Sequence, residues 1–80
     1  MMIVKVVGAE DKNRINLERA TREALNTLGI KATVEHVEDA SGIAEYGVDT
    51  PAVVVNDKVV VSGRVPTGRQ MTVIFEGLPS

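Results

Sequence analysis

Residues 47–63 read GVDTPAVVVNDKVVVSG, and this stretch decides the fold that the sequence predicts. Two β-branched runs, Val53–Val55 and Val59–Val61, surround the polar segment Asn56-Asp57-Lys58. β-Branched residues favour strands, and Asn and Asp tolerate the left-handed backbone of tight turns. The short polar connection therefore predicts an antiparallel hairpin.

The N-terminal part of the chain predicts a strand followed by a helix. Met2 to Val7 is apolar except for one lysine and ends at Gly8, which indicates a strand covered on both faces. From Asn13 to Leu28 the apolar side chains recur at helical spacing, and Gly29 follows as a helix terminator. The chain must reverse direction at that glycine.

The segment between this helix and the hairpin predicts a second strand and a short helix. Ala32 to Val37 is a more polar run, as expected of a strand at a sheet edge. Asp39 to Tyr46 supports one or two helical turns, with Asp39 or Ser41 as the cap and Gly47 as the end.

The residues after the hairpin predict a final helix. Thr67-Gly68-Arg69-Gln70 has the pattern of a capping box, in which the Thr and Gln side chains each satisfy a free backbone N–H. The buried stripe of this helix is expected to contain Met71, Ile74, Phe75 and Leu78, and Gly77 with Pro79 should end it.

The predicted order is β-α-β-α-β-β-α, an α/β fold with a mixed four-stranded sheet and helices on both faces. The first two crossovers contain helices and predict parallel connections, whereas the hairpin adds an antiparallel edge. A ferredoxin-like sandwich needs the order β-α-β-β-α-β and would end in a strand, not a helix. Eighty residues are enough for one domain, residues 1–80, and leave no room for a second.

Composition excludes several classes of function. The chain has no cysteine, so a disulfide, a thiolate nucleophile and a cysteine-ligated metal are ruled out. Its net charge of −2 argues against nucleic acid and anionic membranes as partners. No apolar stretch approaches the roughly 18 residues of a membrane span, and the N-terminus lacks the pattern of a signal peptide. We therefore expect a cytoplasmic protein.

Four segments carry a resemblance that covers nearly the whole chain. They are Ile3–Val7 running into Gly8, Leu28-Gly29-Ile30, Gly47 to Ala52 with its Thr-Pro-Ala, and Val59 to Pro66. In these segments the chain resembles the small archaeal and bacterial thioredoxin or glutaredoxin-like proteins known as redox-active disulfide proteins. The resemblance implies a thioredoxin-like three-layer sandwich and a relationship to thiol–disulfide oxidoreductases.

The resemblance breaks at the reactive motif. The family has Gly-x-x-Cys-x-x-Cys after its first strand, whereas this chain continues from Gly8 with AEDKNR. Asp11 takes the place of the attacking cysteine and Arg14 that of the resolving one. Asp11 either caps the helix, with Asn13 as a competing cap, or mimics the charge of a thiolate. Arg14 either pairs with Asp11 or points into a groove, where it holds a partner's carboxylate.

Thr50 and Pro51 match another feature of that family. The resemblance implies a cis proline, preceded by a residue whose backbone pairs with an extended substrate segment. The simpler alternative is that Pro51 only shapes the loop. The residues expected to bind a partner are thus Asp11, Arg14, Thr50, Pro51, Gly63 and Arg64.

Other candidate sites are weaker. His36 is the only histidine, so we expect an exposed histidine on an edge strand and no metal site. Arg14, Arg64 and Arg69 together form a hypothetical anion site. No phosphate-binding glycine motif is present, and no cofactor is expected.

Three hypotheses about function follow from the sequence. The first is a redox-inactive module that binds an extended peptide or a protein. The second is a cysteine-less, inactive version of a glutaredoxin-like oxidoreductase. The third is a structural subunit that self-associates through a strand edge or the last helix.

Overall fold

The computed structural model describes residues 1–79 and confirms the predicted order of elements. The strands are β1 (Met2–Val7), β2 (Ala32–Val37), β3 (Ala52–Val55) and β4 (Lys58–Ser62), and the helices are α1 (Lys12–Leu28), α2 (Ala40–Tyr46) and α3 (Gly68–Glu76). The strands form one mixed sheet in the order β2-β1-β3-β4. Among these residues, no helix has both the length and the apolarity needed to cross a bilayer.

The predicted hairpin forms with a two-residue turn. Val55 pairs with Lys58, and the intervening Asn56 and Asp57 have φ angles of 47° and 69°. Asn56 also ties the turn to β1, because its N–H donates to the Ile3 carbonyl and its Oδ1 accepts from the Ile3 N–H, both at 2.9 Å. The turn therefore fixes the register of β3 against β1 as well as against β4.

The predicted direction of β3 was wrong. β1 and β2 are parallel, but β3 runs antiparallel to β1. A parallel crossover has to carry the chain back along the sheet, and the 17-residue α1 spans about 25 Å, enough to do so. The seven-residue α2 spans only about 10 Å. Consequently β3 starts at the end of the sheet where β2 stopped, with Val37 and Ala52 both opposite Val7.

Helices cover both faces of the sheet, as predicted. One face packs against α1 and α3 in a core built from alternate strand residues and from apolar side chains of both helices: Val4, Val6, Val53, Val55, Val61, Leu17, Ala20, Ala24, Leu25, Met71 and Phe75. The other face buries Val7, Ala52 and Val54 under α2, where Ile43 and Tyr46 lie. This arrangement places the start of α1 beside the start of β3.

The helix ends follow the predicted capping residues. Asp11 caps α1, so the helix starts one residue before the predicted Asn13, and Asp39 caps α2. The predicted capping box of α3 is confirmed: Thr67 Oγ1 accepts from the Gln70 N–H at 3.1 Å, and Gln70 Oε1 accepts from the Thr67 N–H at 2.9 Å.

Candidate functional site

The bend at Thr50-Pro51 lies against the loop that leads into α1. Gly8, at the end of β1, has a φ of 153°, and a Cβ atom there would lie 3.5 Å from the Pro51 Cα and 3.1 Å from the Arg14 Cγ. A side chain at this position would push the Arg14 stem away by a few tenths of an ångström, whereas its contact with Pro51 would be an ordinary van der Waals contact. Glycine therefore lets the stem of Arg14 approach the end of β1 closely.

The other side of the bend is held by the loop that follows β4. The Gly63 N–H donates to the Pro51 carbonyl at 2.9 Å, and the Ser62 hydroxyl donates to the Asp49 carbonyl at 3.1 Å. Gly63 has a φ of 74°, which favours glycine. The peptide bond between Thr50 and Pro51 is cis.

Thr50 is exposed at the tip of this bend. Within the described part of the chain, no hydrogen bond involves its backbone N–H or its carbonyl. We use the name Thr50 surface for five of the residues predicted to bind a partner: Asp11, Thr50, Pro51, Gly63 and Arg64. Gly63 contacts Pro51 directly, Thr50 has free backbone hydrogen-bonding groups within the described residues, and Asp11 and Arg64 have exposed side chains of opposite charge.

Asp11 has the capping role that was the simpler of its two interpretations. Its Oδ1 accepts from the Arg14 N–H at 3.0 Å, and the side chain is exposed at the start of α1. The carboxylate thus accepts a bond from an N–H at the start of a helix, where a negative charge is favoured.

Arg14 does not pair with Asp11, so that prediction was wrong; its guanidinium binds two other acids of the chain. The residue is only 4% exposed. Its Nη1 donates to Glu18 at 2.7 Å, and its Nη2 donates to Glu38 at 2.9 Å. The helical spacing of four residues brings Glu18 over Arg14, and the end of β2 supplies Glu38. The guanidinium therefore ties α1 to the edge strand instead of pointing toward a partner.

His36 completes this cluster. Its Nδ1 lies 2.6 Å from the same Glu18 oxygen that Arg14 contacts. A carboxylate only accepts hydrogen bonds, so a contact this short requires the proton on Nδ1. The 3.1 Å approach of Arg14 Nη1 to His36 Nδ1 is then a contact between two donors and not a hydrogen bond. The histidine is half-exposed on its edge strand, as predicted, but its ring is held in one orientation.

Glu18 is the centre of the cluster, and its ionisation reflects its neighbours. Burial raises the pKa of the Glu18 carboxyl, but hydrogen bonds from His36 and Arg22 outweigh that effect and hold the pKa below its ordinary value of 4.5. Arg22 donates from Nε at 3.1 Å. The carboxylate thus accepts bonds from three donor residues and is ionised at neutral pH.

This lowered pKa predicts a contribution to acid unfolding. The folded state binds the Glu18 proton less tightly than the unfolded chain, so the stabilisation is present above pH 4.5 and is lost as the pH falls through the folded-state pKa. We expect Glu18→Gln to show a smaller loss of unfolding free energy between neutral and acidic pH than the unmodified chain. Urea titrations at both pH values measure this difference. The control Glu76→Gln, at an exposed position, should lose as much unfolding free energy between the two pH values as the unmodified chain. If Glu18→Gln also lost as much, the lowered pKa of Glu18 would not contribute to acid unfolding.

The hypothetical anion site of Arg14, Arg64 and Arg69 does not form. Arg14 lines an open cavity of about 330 Å³ together with Ile15, Glu18, Arg19, Arg22 and His36. Arg64 and Arg69 line a different cavity on α3. The three arginines are separated because Arg14 is bound by Glu18 of α1 and by Glu38, the residue that follows β2. In residues 1–79, no group of His, Asp and Glu side chains has the geometry of a metal site.

Sequence reasoning missed Glu18 and Glu38 as the acids that bind Arg14, and His36 as their neighbour in the cluster. The spacing of Arg14 and Glu18 was a usable signal, because residues four apart lie on one helical face. The contacts with His36 and Glu38 span 22 and 24 residues, so only the parallel pairing of β1 with β2 reveals them.

The sheet order, with α1 and α3 on one face and α2 on the other, is that of a thioredoxin-like α/β domain. Comparison with known families agrees with this fold. The family model described as "Thioredoxin domain" matches residues 2–76. The chain therefore belongs to the thioredoxin domain family, in a form that contains no cysteine.

Two similar proteins are both archaeal and both named thioredoxin. The chain is 31% identical to the protein from Methanothermobacter thermautotrophicus over 76 residues, which are 94% of this chain and 99% of the relative. It is 28% identical to the protein from Methanocaldococcus jannaschii over 67 residues, 84% of this chain and 78% of the relative.

Proposed function

We propose that this chain is a redox-inactive thioredoxin-like domain that binds an extended peptide, or an extended segment of a protein, at the Thr50 surface. The observation that carries the proposal is that no residue in the range 1–79 forms a backbone hydrogen bond with Thr50. An exposed N–H and C=O on an extended bend are the groups that an added strand pairs with.

The surroundings of Thr50 support this use. The bond from Gly63 to the Pro51 carbonyl fixes the bend, so little backbone entropy is lost when a ligand pairs with it. Asp11 and Arg64 place opposite charges on the surface, which gives a bound segment a preferred direction.

The absence of cysteine supports a binding function without thiol exchange. Thiol–disulfide exchange begins with the attack of a thiolate on a disulfide, and no residue of this chain supplies a sulfur nucleophile. Asp11 keeps a negative charge at the helix start but has no comparable reactivity. These features favour binding over catalysis as the role of the surface.

A selection from a random twelve-residue peptide display library tests this function. We expect enriched peptides to slow the exchange of the Thr50 amide with solvent by roughly five- to tenfold, as one new hydrogen bond would do. Amide shift changes should centre on Asp11, Thr50 and Gly63. Failure to enrich any peptide, or shift changes confined to the edge strand β2, would overturn the proposal.

A second candidate is favoured by the family match and by the names of the two relatives. In this alternative the chain is a thiol–disulfide oxidoreductase scaffold that is inactive only because its two cysteines are replaced. The position of Asp11 at the N-cap supports it, since an anion there accepts the Arg14 N–H. Restoring cysteines at positions 11 and 14 distinguishes this candidate from a surface that never supported exchange.

A further inference from the structure

The outer face of α3 contains an open groove of about 380 Å³ that the proposed function does not use. Arg64, Arg69, Gln70, Val73 and Ile74 line it. Val73 is 64% exposed, although the opposite face of the same helix is fully buried in the core. The groove thus has an apolar floor that a partner's side chain can cover.

The polar rim of this groove consists of hydrogen-bond donors. Arg64 and Arg69 are exposed, and neither forms an ion pair with any residue in the described range 1–79. The oxygen of the Gln70 side chain already accepts the Thr67 N–H at 2.9 Å, so the amide NH₂ of Gln70 remains as a donor. A guanidinium has five N–H donors and no acceptor. A ligand of this rim must therefore bring acceptors, and carboxylates bind guanidinium groups most strongly.

The charge and the position of the rim identify the kind of ligand. The whole chain has a net charge of −2, yet Arg64 and Arg69 both line this groove and neither is in an ion pair within residues 1–79. Two acids lie against their neighbours in sequence, Asp49 against Gly63 and Glu23 against Gly68, but neither is paired with a guanidinium in that range. Arg64 directly follows Gly63, whose N–H holds the Pro51 carbonyl. The groove is therefore lined by a residue that follows directly in sequence on Gly63, which is hydrogen-bonded to the bend on which Thr50 lies.

From these observations we infer that the α3 groove binds an acidic portion of the same extended peptide that pairs with Thr50. The ligand has an apolar side chain that covers Val73, flanked by aspartate or glutamate residues that bind Arg64 and Arg69. This inference rests on the proposed function and specifies the class of its partner: peptides that are both apolar and acidic.

The peptides selected from the random library provide the test. We expect them to be enriched in Asp and Glu next to an apolar residue. Replacing both arginines, Arg64→Gln with Arg69→Gln, should weaken binding of the best peptide about 3- to 30-fold, measured by fluorescence anisotropy. Val73→Ser should weaken it independently of salt, whereas raising NaCl from about 0.05 to 0.5 M should weaken binding to the unmodified chain. The control Arg19→Gln removes an exposed charge from the other cavity and should change the affinity less than about twofold.

The outcomes separate this inference from the proposed function. Selected peptides that protect the Thr50 amide, but show no acidic enrichment and no loss on replacing both arginines, would overturn the inference and leave the function standing. Acidic peptides that bind through the arginines without protecting Thr50 would overturn both the use of the Thr50 surface and the inference that one peptide spans that surface and the groove. If sedimentation showed that the two arginines instead hold a dimer of this chain, the groove would be a self-association site and the inference would be wrong.

Discussion

Arg14→Ala is expected to lower the free energy of unfolding by about 2–4 kcal/mol, because it removes the shared cation from a partly buried acidic cluster. For a domain of this size, that change lowers the melting temperature by roughly 10–30 °C. Glu18 would keep its bonds from His36 and Arg22, but its partly buried carboxylate would lose the 2.7 Å bond from Arg14. Glu38 would lose its guanidinium partner and be left to solvent.

Arg22→Ala is the matched control for this prediction. Arg22 donates to the same carboxylate of Glu18, but its side chain is 54% exposed. An exposed ion pair contributes about 0.2–1 kcal/mol, so this variant should remain close to the unmodified chain. Thermal and urea unfolding followed by circular dichroism compare the two. If Arg14→Ala cost no more than Arg22→Ala, the cluster would not be a structural link between α1 and β2.

Arg14→Met separates the charge of Arg14 from its packing. Methionine fills much of the space that the arginine stem occupies beside Gly8. The substitution also removes the buried Nε of Arg14, which has no hydrogen-bond partner in the described residues. We expect the free energy of unfolding of Arg14→Met to lie between that of Arg14→Ala and that of the unmodified chain. A full recovery of stability would show that packing alone matters at this position.

The features that the sequence predicts correctly depend on contacts close along the chain. The turn at Asn56-Asp57 and the capping box of Thr67 and Gln70 each lie within a few residues, so residue type and spacing determine them. The coverage of both sheet faces also follows, because β1 is almost continuously apolar.

The features that the sequence does not predict depend on geometry between distant segments. The direction of β3 depends on whether α2 is long enough to carry the chain back to the other end of the sheet, and its seven residues are too few. The partners of Arg14 at the end of β2 become visible only once β1 and β2 are paired in register. The Thr50 surface is intermediate: its residues were predicted from a family resemblance, but their proximity depends on the contacts of Gly8 and Gly63 with the bend.

The double variant Asp11→Cys with Arg14→Cys is expected to restore thiol–disulfide exchange if the scaffold has kept the geometry of an oxidoreductase. A thiolate at position 11 would accept the N–H of residue 14 that Asp11 accepts now at 3.0 Å. Thiols at helix N-termini have a pKa below the usual value of about 8.5, which favours the thiolate. The second thiol would occupy the buried position of Arg14, protected from direct attack by solvent reagents.

Glutathione disulfide provides the measurement. The thiolate at position 11 attacks one sulfur of glutathione disulfide, which forms a mixed disulfide and releases the first glutathione thiolate. The thiolate at position 14 then attacks the sulfur at position 11, which closes the intramolecular disulfide and releases the second glutathione. The single variant Asp11→Cys lacks this second step and should stop at the mixed disulfide. Mass spectrometry and a thiol assay should therefore find about two equivalents of glutathione from the double variant and about one from the single.

Loss of Arg14 has to be compensated in this experiment, because the double variant also breaks the acidic cluster. Adding Glu18→Gln removes the carboxylate that Arg14 contacts most closely and keeps its size, which reduces the cost of the missing cation. Circular dichroism and a thermal melt establish that each variant is folded before the assay. A folded double variant that retains the mixed disulfide would show that positions 11 and 14 no longer support exchange, and the oxidoreductase alternative would be wrong.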